Sequence, residues 1–427
     1  MNEERGRLAK QAAHYIGIVL IAILAGFLLL LMVYLIPQER MEYNTRISLD
    51  ILLHQGGGVP LLEGMPETEA DYFTDAVMLN TAYTAEGSLL EKALLGQGSW
   101  DGLPAEELAV YMQASPEKRA SMELRHYARY WHGYLVFLRP LLMCFHINQI
   151  RLMGMIALSA LFVLVIWLLC KTGNERLIPP CFALWIFLVP VITVINLQYY
   201  ACTGTALLGA AVILARIKEG KTMEPYLYTV MELSGIATAF LDLLTFPSVS
   251  FGVPMILYYC LDKKAGRTCR YRLVQFLKAG LAWVFGYAGM MTGKWVLATA
   301  FTRENIIADG IDTVLRRSSG TWKGEEVGYL KVLQKNFSYY DTAVYKLLLA
   351  GIIMLFIMQM VRHGRPKWNK DICFALGLCM LTPFLWYMVT RNHAIIHSHF
   401  TFRTFSTLLF GCCMLLYQAL PEKKRPC

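Results

Sequence analysis

A chain of 427 residues that is 56% hydrophobic and only 17% charged cannot hide its apolar surface inside water-facing domains. Its mean hydropathy is +0.43, and 40 Lys and Arg against 31 Asp and Glu leave a net charge of +9. These values exclude a soluble enzyme, a disordered chain and a collagen-like fibre, and they make the bilayer part of the solvent.

A spanning helix needs about 20 mostly apolar residues. Residues 15–36 meet this first, preceded by Arg5, Arg7 and Lys10 and followed by PQER. The run is longer than a signal-peptide core and lacks a small-residue cleavage site, so it reads as an uncleaved anchor. Residues 37–148 contain no comparable run. Apolar segments resume at 150–170, 178–196, 198–215, 225–245, 247–261, 273–300, 343–361, 372–390 and 404–420. The fold class is therefore all-α: a polytopic transmembrane helix bundle of about ten spans, with a large helical outer loop after the first. The 11 cysteines show no CxxC or CxxH spacing, which argues against a disulfide framework or a zinc knuckle.

Charge sets the orientation. With the N-terminus cytoplasmic, the inner segments hold Arg5, Arg7, Lys10; Lys171, Arg176; Arg216, Lys218, Lys221; Lys263, Lys264, Arg267, Arg270, Arg272; Arg362, Arg365, Lys367, Lys370; and Lys423, Lys424, Arg425. That is half of all Lys and Arg, while the short outer turns at 197–203 and 243–249 hold none. Short-loop Lys/Arg asymmetry places both termini in the cytoplasm of a cell-membrane protein. It also accounts for the basic surplus without nucleic acid. The organisation expected is a cytoplasmic N-terminus and anchor over 1–36, an extracytoplasmic loop with membrane-lying helices over 37–148, and nine further spans over 149–427 with an outer loop near 302–342.

The first outer loop has a turn-rich GGG at Gly56 to Gly58 and then TEADYFTDAVMLNTAY. Met78, Leu79 and Ala82 follow Asp75 at helical spacing, with Thr74 or Asp75 available as the cap. The stretch SPEKRASMELRHYARYWHGYLVFLRPLL predicts a helix from Ser115 with Pro116 at its first position. Its Tyr, Trp, Arg and His on an apolar body suit the headgroup zone. No internal repeat is evident.

Ionisable residues at membrane depth are costly and invite a functional reading. Asp71 and Asp75, four apart, can face one way, and two carboxylates so placed can hold a divalent cation or supply a general base. From spacing alone a solvated acidic helix start is the simpler explanation, since acidic helix starts are common. WYMVTRNHAIIHSHFTFR gathers Arg391, His393, His397, His399 and Arg403, residue types that bind an anionic headgroup or diphosphate, or that merely snorkel. Asp242, beside Pro247, can serve a site or satisfy loose backbone donors. Lys294 is a lone cation near an outer helix end, and Arg303, Arg316 and Arg317 follow in the second outer segment. All of these fall on the outer side. An active site there has no access to cytoplasmic nucleotide-sugars or ATP, so its activated substrate must arrive on a lipid carrier.

The layout resembles the type-C superfamily of polytopic membrane glycosyltransferases. It is also similar to bacterial membrane proteins carrying variants of DYFTDAVMLN (71–80), RYWHGYLVFLRPLL (129–142), LDLLTFP (241–247), GKW (293–295) and NHAIIHSHFTFR (392–403). The resemblance implies transfer of a sugar from a polyprenyl-phosphate-linked donor to an envelope glycan, lipid or protein acceptor at the extracytoplasmic face. It implies Asp71 or Asp75 as the base, and His393, His397, Arg403, Arg303 and Lys294 at the donor phosphate. It places Arg129, Trp131, His132, Arg139 and Asp242 at the substrate, with no cofactor required beyond the divalent cation that the carboxylates can hold. In the superfamily the acidic motif often lies close to the first span; here Asp71 comes some 35 residues after Ile36. An envelope acyltransferase with His397 or His393 as base, and a transporter or flippase of lipid-linked intermediates, are the competing functions. The chain lacks a short Arg-plus-His signature early on and an inverted repeat, which argue against each in turn.

Overall fold

The computed structural model describes residues 2–262 and 266–421. Lys263, Lys264, Lys423, Lys424, Arg425 and Cys427, which entered the charge and cysteine arguments, lie outside the described residues. The ten cysteines within them are all free. The all-α expectation holds: helices dominate, and strand is confined to three short antiparallel pairs among the described residues.

The chain opens with α1 (Asn2–Tyr34), α2 (Glu39–Gln55), β1 (Gly58–Pro60), β2 (Glu69–Asp71), α3 (Tyr72–Tyr83), α4 (Leu89–Leu95), β3 (Gln97–Gly98), α5 (Pro104–Gln113), α6 (Pro116–Ser121), β4 (Arg125–His126) and α7 (Leu135–Leu142). The middle holds α8 (Ile147–Lys171), α9 (Ile178–Phe187), α10 (Pro190–Thr193), α11 (Tyr200–Lys218), α12 (Glu224–Leu241), α13 (Val249–Leu261) and α14 (Cys269–Phe301). Then follow α15 (Ile306–Ser318), α16 (Tyr329–Phe337), α17 (Ala343–His363), α18 (Lys370–Met380), α19 (Thr382–Val389), α20 (Arg391–Ile396), α21 (Ser398–Thr401) and α22 (Ser406–Gln418).

Among the described residues, seven helical runs are long and apolar enough to cross a membrane: Ala9–Tyr34, Ile147–Lys171, Leu197–Lys218, Cys269–Phe301, Ala343–Arg362, Lys370–Val389 and Ser398–Gln418. All ten expected segments are helical, yet three do not meet that standard. The segment at 178–196 breaks where Val189 takes a left-handed φ of 53° between α9 and α10. The helix α13 has 13 residues, about 20 Å at 1.5 Å per residue, and is buried throughout. The helix α12 carries Glu224 and Glu232 and pairs along its length with α14. A Cβ at Gly235 would lie 2.1 Å from the Trp283 carbonyl oxygen, and one at Gly286 would lie 2.3 Å from that of Glu232. Only glycine permits so close a backbone approach, the device by which helices associate in lipid.

The basic turns meet at one end of the bundle. Arg267 pairs with Glu224 at 2.7 Å and with Asp262 at 3.2 Å, Arg272 reaches Asp262 at 2.6 Å, and Lys171 and Lys218 both stack on Trp167. From that end α12 runs back to Asp242, and α11 runs from it to Tyr200, so the polar constellations gather at the opposite end.

One long expected helix is absent. Ser115 does cap a helix with Pro116 at its first position, accepting from the Lys118 amide, but α6 stops at Ser121. Beyond it β4 pairs with β3, and His132 adopts a φ of 55°. The Gly133 amide donates to the Phe240 carbonyl at 2.8 Å, and Tyr127, Tyr130 and Tyr134 pack around His132. Tertiary contacts with the end of α12 replace the helical ladder there.

Candidate functional site

A cavity of about 530 Å³ lies at the polar end of the bundle. Its walls come from β2 and the start of α3 (Glu69, Asp71, Thr74), from Trp100 and Asp101, and from Arg125, Tyr127 and Arg129. Gln198, Leu243, Arg317, His393, His397 and His399 complete it. Segments more than 300 residues apart in sequence thus meet around one space, as the motif pattern implies.

Asp71, rather than Thr74 or Asp75, caps α3. Its Oδ1 accepts from the Thr74 amide at 2.9 Å. Its Oδ2 accepts from Gln198 Nε2 at 2.6 Å, from Thr74 Oγ1 at 2.8 Å and from His399 Nε2 at 3.4 Å. Burial pushes the carboxyl up, but the hydrogen bonds from His399, Thr74 and Gln198 outweigh it and hold Asp71 below the usual carboxylate range.

Asp75 is elsewhere. It is fully buried one turn further along and pairs with Arg151 of α8 at 2.7 Å. Its Oδ1 accepts from the Leu197 amide at 2.9 Å, and Asn196 Nδ2 donates to its Oδ2 at 3.4 Å. Burial pushes its carboxyl up to about 6 against the pull of Arg151 and Leu197. That value suits a base, but Asp75 does not line the cavity and its oxygens are engaged. The carboxylate oxygens of Asp75 are taken by Arg151 and Leu197 rather than turned to a cation shared with Asp71. No group of three His, Cys, Asp or Glu among the described residues is arranged to hold a metal.

His393 and His397 line the cavity as expected, but not as cations. His393 Nε2 donates to the Leu244 carbonyl at 2.7 Å, and its buried Nδ1 has no partner among the described residues. Burial, with neighbouring His397 and Arg317, holds His393 well below the ordinary imidazole value. His397 stacks on Phe400, and burial with Arg317 and His399 pushes it down to about 3. Both are neutral hydrogen-bonding groups near pH 7.

Seven expected site residues, Arg403, Lys294, Trp131, Arg139, Asp242, His132 and Arg303, do not line the cavity. Arg403 is fully buried beneath the histidines, donating to the Leu188 and His399 carbonyls at 3.2 Å each and stacking on Tyr199 and Phe402. Lys294 is buried at the end of α4, 3.4 Å from the Ala93 carbonyl and over the Trp131 ring. Trp131 donates to the Met290 carbonyl at 2.6 Å, locking the loop to α14. Arg139 donates to the carbonyls of Val33 and Ile36, at 3.0 and 2.8 Å, and to that of Ala82. It therefore fastens α1, α3 and α7 together. Asp242 accepts from the Thr245 amide at 2.8 Å and from Thr245 Oγ1 at 2.5 Å. The turn it closes holds Leu244 at a left-handed φ of 69° and presents the carbonyl that His393 uses. His132, also buried, bridges the Tyr127 carbonyl and Tyr134 hydroxyl, and Arg303 is exposed and does not line the cavity.

Of the expected substrate residues, Arg129 does line the cavity. It stacks on Tyr127 and pairs with Asp309 at 3.5 Å, and its buried Nε has no partner among the described residues. Arg317 stands beside it with its own buried Nε unpartnered. Both also line a second, apolar hollow of about 430 Å³ formed by α14, α15 and α19. Ile311, Val314, Leu315 and Val389 stand exposed around that hollow. Gln198, Trp100 and Arg125 were not foreseen. A lone polar residue ahead of a span and isolated loop residues carry no spacing signal, whereas Arg151 was legible as an ionisable residue at a span end.

No protein-family model, curated protein or solved structure matches this chain.

Proposed function

We propose that this protein is an integral membrane glycosyltransferase of the type-C kind. It moves a sugar from a polyprenyl-phosphate-linked donor to an envelope acceptor at the extracytoplasmic face of the cell membrane, with ten helical passes and both termini in the cytoplasm. The observation that carries the reading is the junction at Arg129 and Arg317. There a polar cavity with three carboxylates and three histidines adjoins an apolar hollow, and both share the same two guanidinium groups. A lipid-linked phosphate has this division of chemistry: an apolar tail, an anion and a polar head. Two guanidiniums at the boundary suit its phosphate, which would take over from the 3.5 Å pairing of Arg129 with the exposed Asp309. They take the role that the resemblance implies for Arg303, Arg403 and Lys294.

The same geometry favours a second reading. A His–Asp pair beside an apolar hollow also serves acyl transfer to a hydroxyl, with the acyl chain in place of the prenyl chain. One experiment separates the readings. The protein in nanodiscs is given labelled polyprenyl-phosphate sugars or labelled acyl donors with envelope extracts as acceptors. Label moving from the sugar donor, reduced about tenfold or more in R129Q/R317Q, is the expected result. Label moving only from the acyl donor, or, with the protein in sealed vesicles, lipid-linked sugar crossing the bilayer without covalent change, would refute the glycosyltransferase reading.

A further inference from the structure

Of the residues that the sequence singles out, the one best placed to take a proton in the cavity is neither Asp71 nor Asp75; the other lining carboxylates, Glu69 and Asp101, have no histidine bonded to them among the described residues. Asp71 faces the cavity, yet its two oxygens already accept four donors. A carboxylate so engaged is a weak proton acceptor. Asp75 is sealed behind α3 with Arg151. His393 spends its Nε2 on the Leu244 carbonyl, and its Nδ1 is closed off from solvent. His397 lies flat against Phe400 with no carboxylate bonded to it. His399 differs from all of these. Its side chain keeps 24% of its surface exposed, and its Nε2 faces Asp71 Oδ2 at 3.4 Å. Arg403, from below, holds the His399 carbonyl at 3.2 Å.

We infer that His399 is the catalytic base of this cavity, with Asp71 as its positioning residue. Asp71 accepts the Nε2 proton and so selects the tautomer in which Nδ1 carries the free lone pair, the arrangement by which an acid orients an imidazole base. Gln198 and Thr74 in turn hold Asp71 in place. The inference rests on the glycosyl-transfer reading for its substrate. In the step, the acceptor hydroxyl gives its proton to His399 Nδ1, and the oxygen lone pair forms the bond to the anomeric carbon. The bond from that carbon to the phosphate oxygen breaks with its electron pair on the phosphate. The polyprenyl phosphate leaves as the dianion beside Arg129 and Arg317, and the imidazolium then releases its proton to water. No oxidant, reductant or further reactant enters.

The test uses the full chain in nanodiscs. H399Q keeps an N–H for Asp71 but offers no basic nitrogen; H399A leaves room for added imidazole. Expected are a fall in kcat of about 100-fold or more in both, with KM for the donor nearly unchanged, and recovery of H399A as free imidazole is added. A purely structural histidine would not be rescued by imidazole. A kcat for H399Q within about threefold of wild type overturns the inference, as does an H399A loss that imidazole does not restore. A readout independent of turnover separates failure of the base from failure of the function. Diethyl pyrocarbonate, followed by peptide mass analysis, should modify His399 in the folded protein and spare His393. If wild type transfers no sugar, the glycosyltransferase reading falls. His399 modified in that protein still supports a presented imidazole base, and His399 spared until denaturation overturns it.

Discussion

The ion pair between Asp75 and Arg151 is the firmest place to test this architecture. Asp75 is completely buried and the Arg151 side chain is 6% exposed, with N···O contacts of 2.7 and 3.2 Å. Arg151→Met would leave the carboxylate with only the Leu197 amide at 2.9 Å and Asn196 at 3.4 Å. Breaking one side of a buried pair costs about 3–5 kcal/mol, because the remaining charge has lost its counter-ion but not its burial. Asp75→Asn can keep the Leu197 bond, and Arg151 retains Gln55 and Asn148 at 3.1 Å each, so the loss is smaller, about 1–3 kcal/mol. The double variant removes both charges. Its loss should fall short of the sum of the single losses by about 1–3 kcal/mol. Reversible SDS titration in bicelles measures all three differences. The pair also fastens Leu197 beside Gln198, the donor to Asp71, so Arg151→Met should reduce transfer as well as stability. Single variants each within about 0.5 kcal/mol of wild type, or losses that simply add, would refute the claim that this pair is buried and coupled.

Three further outcomes follow from the same geometry. Arg139→Met should destabilise the protein by about 3–5 kcal/mol, since three backbone carbonyls lose a buried cation, while the surviving folded fraction keeps its donor KM; a stable variant with a raised KM would return Arg139 to the substrate site. Asp71 has a depressed carboxyl in the folded state, so its contribution is present above the unfolded value of about 3.9 and is lost as pH falls through the lower folded value. Melting curves from pH 6 to 3 should therefore flatten in Asp71→Asn relative to wild type, and an unchanged acid limb would count against the hydrogen bonds drawn to Asp71. Gly286→Leu should push α12 and α14 apart and cost about 1–3 kcal/mol; thermal unfolding followed by thiol labelling of buried cysteines such as Cys202 and Cys260 reads this, and a melting point equal to wild type would show that the two helices do not touch there.

How much was legible depended on the range of the interaction. Composition and apolar runs determined that the chain is helical and that the bilayer is its solvent, because burial in lipid is decided residue by residue. The polar motifs also mark segments that line the cavity, with Asp71, Arg129, His393 and His397 among them. Their roles were not legible in the same way. Whether an arginine faces substrate or a carbonyl depends on partners far away in sequence, as Arg139 shows by reaching Val33 and Ala82, and Arg403 by reaching Leu188.

The sequence by itself determined an apolar helical chain with its polar chemistry gathered at particular stretches, since local hydropathy and charge follow directly from residue type. Only the tertiary structure decided that Asp75 is sealed against Arg151, that Asp71 faces His399, and that Arg129 and Arg317 stand between a polar cavity and an apolar hollow. The physical reason is that desolvation and hydrogen-bond partners turn an ionisable residue into a strut or a reactant, and both are set by neighbours that chain connectivity does not reveal.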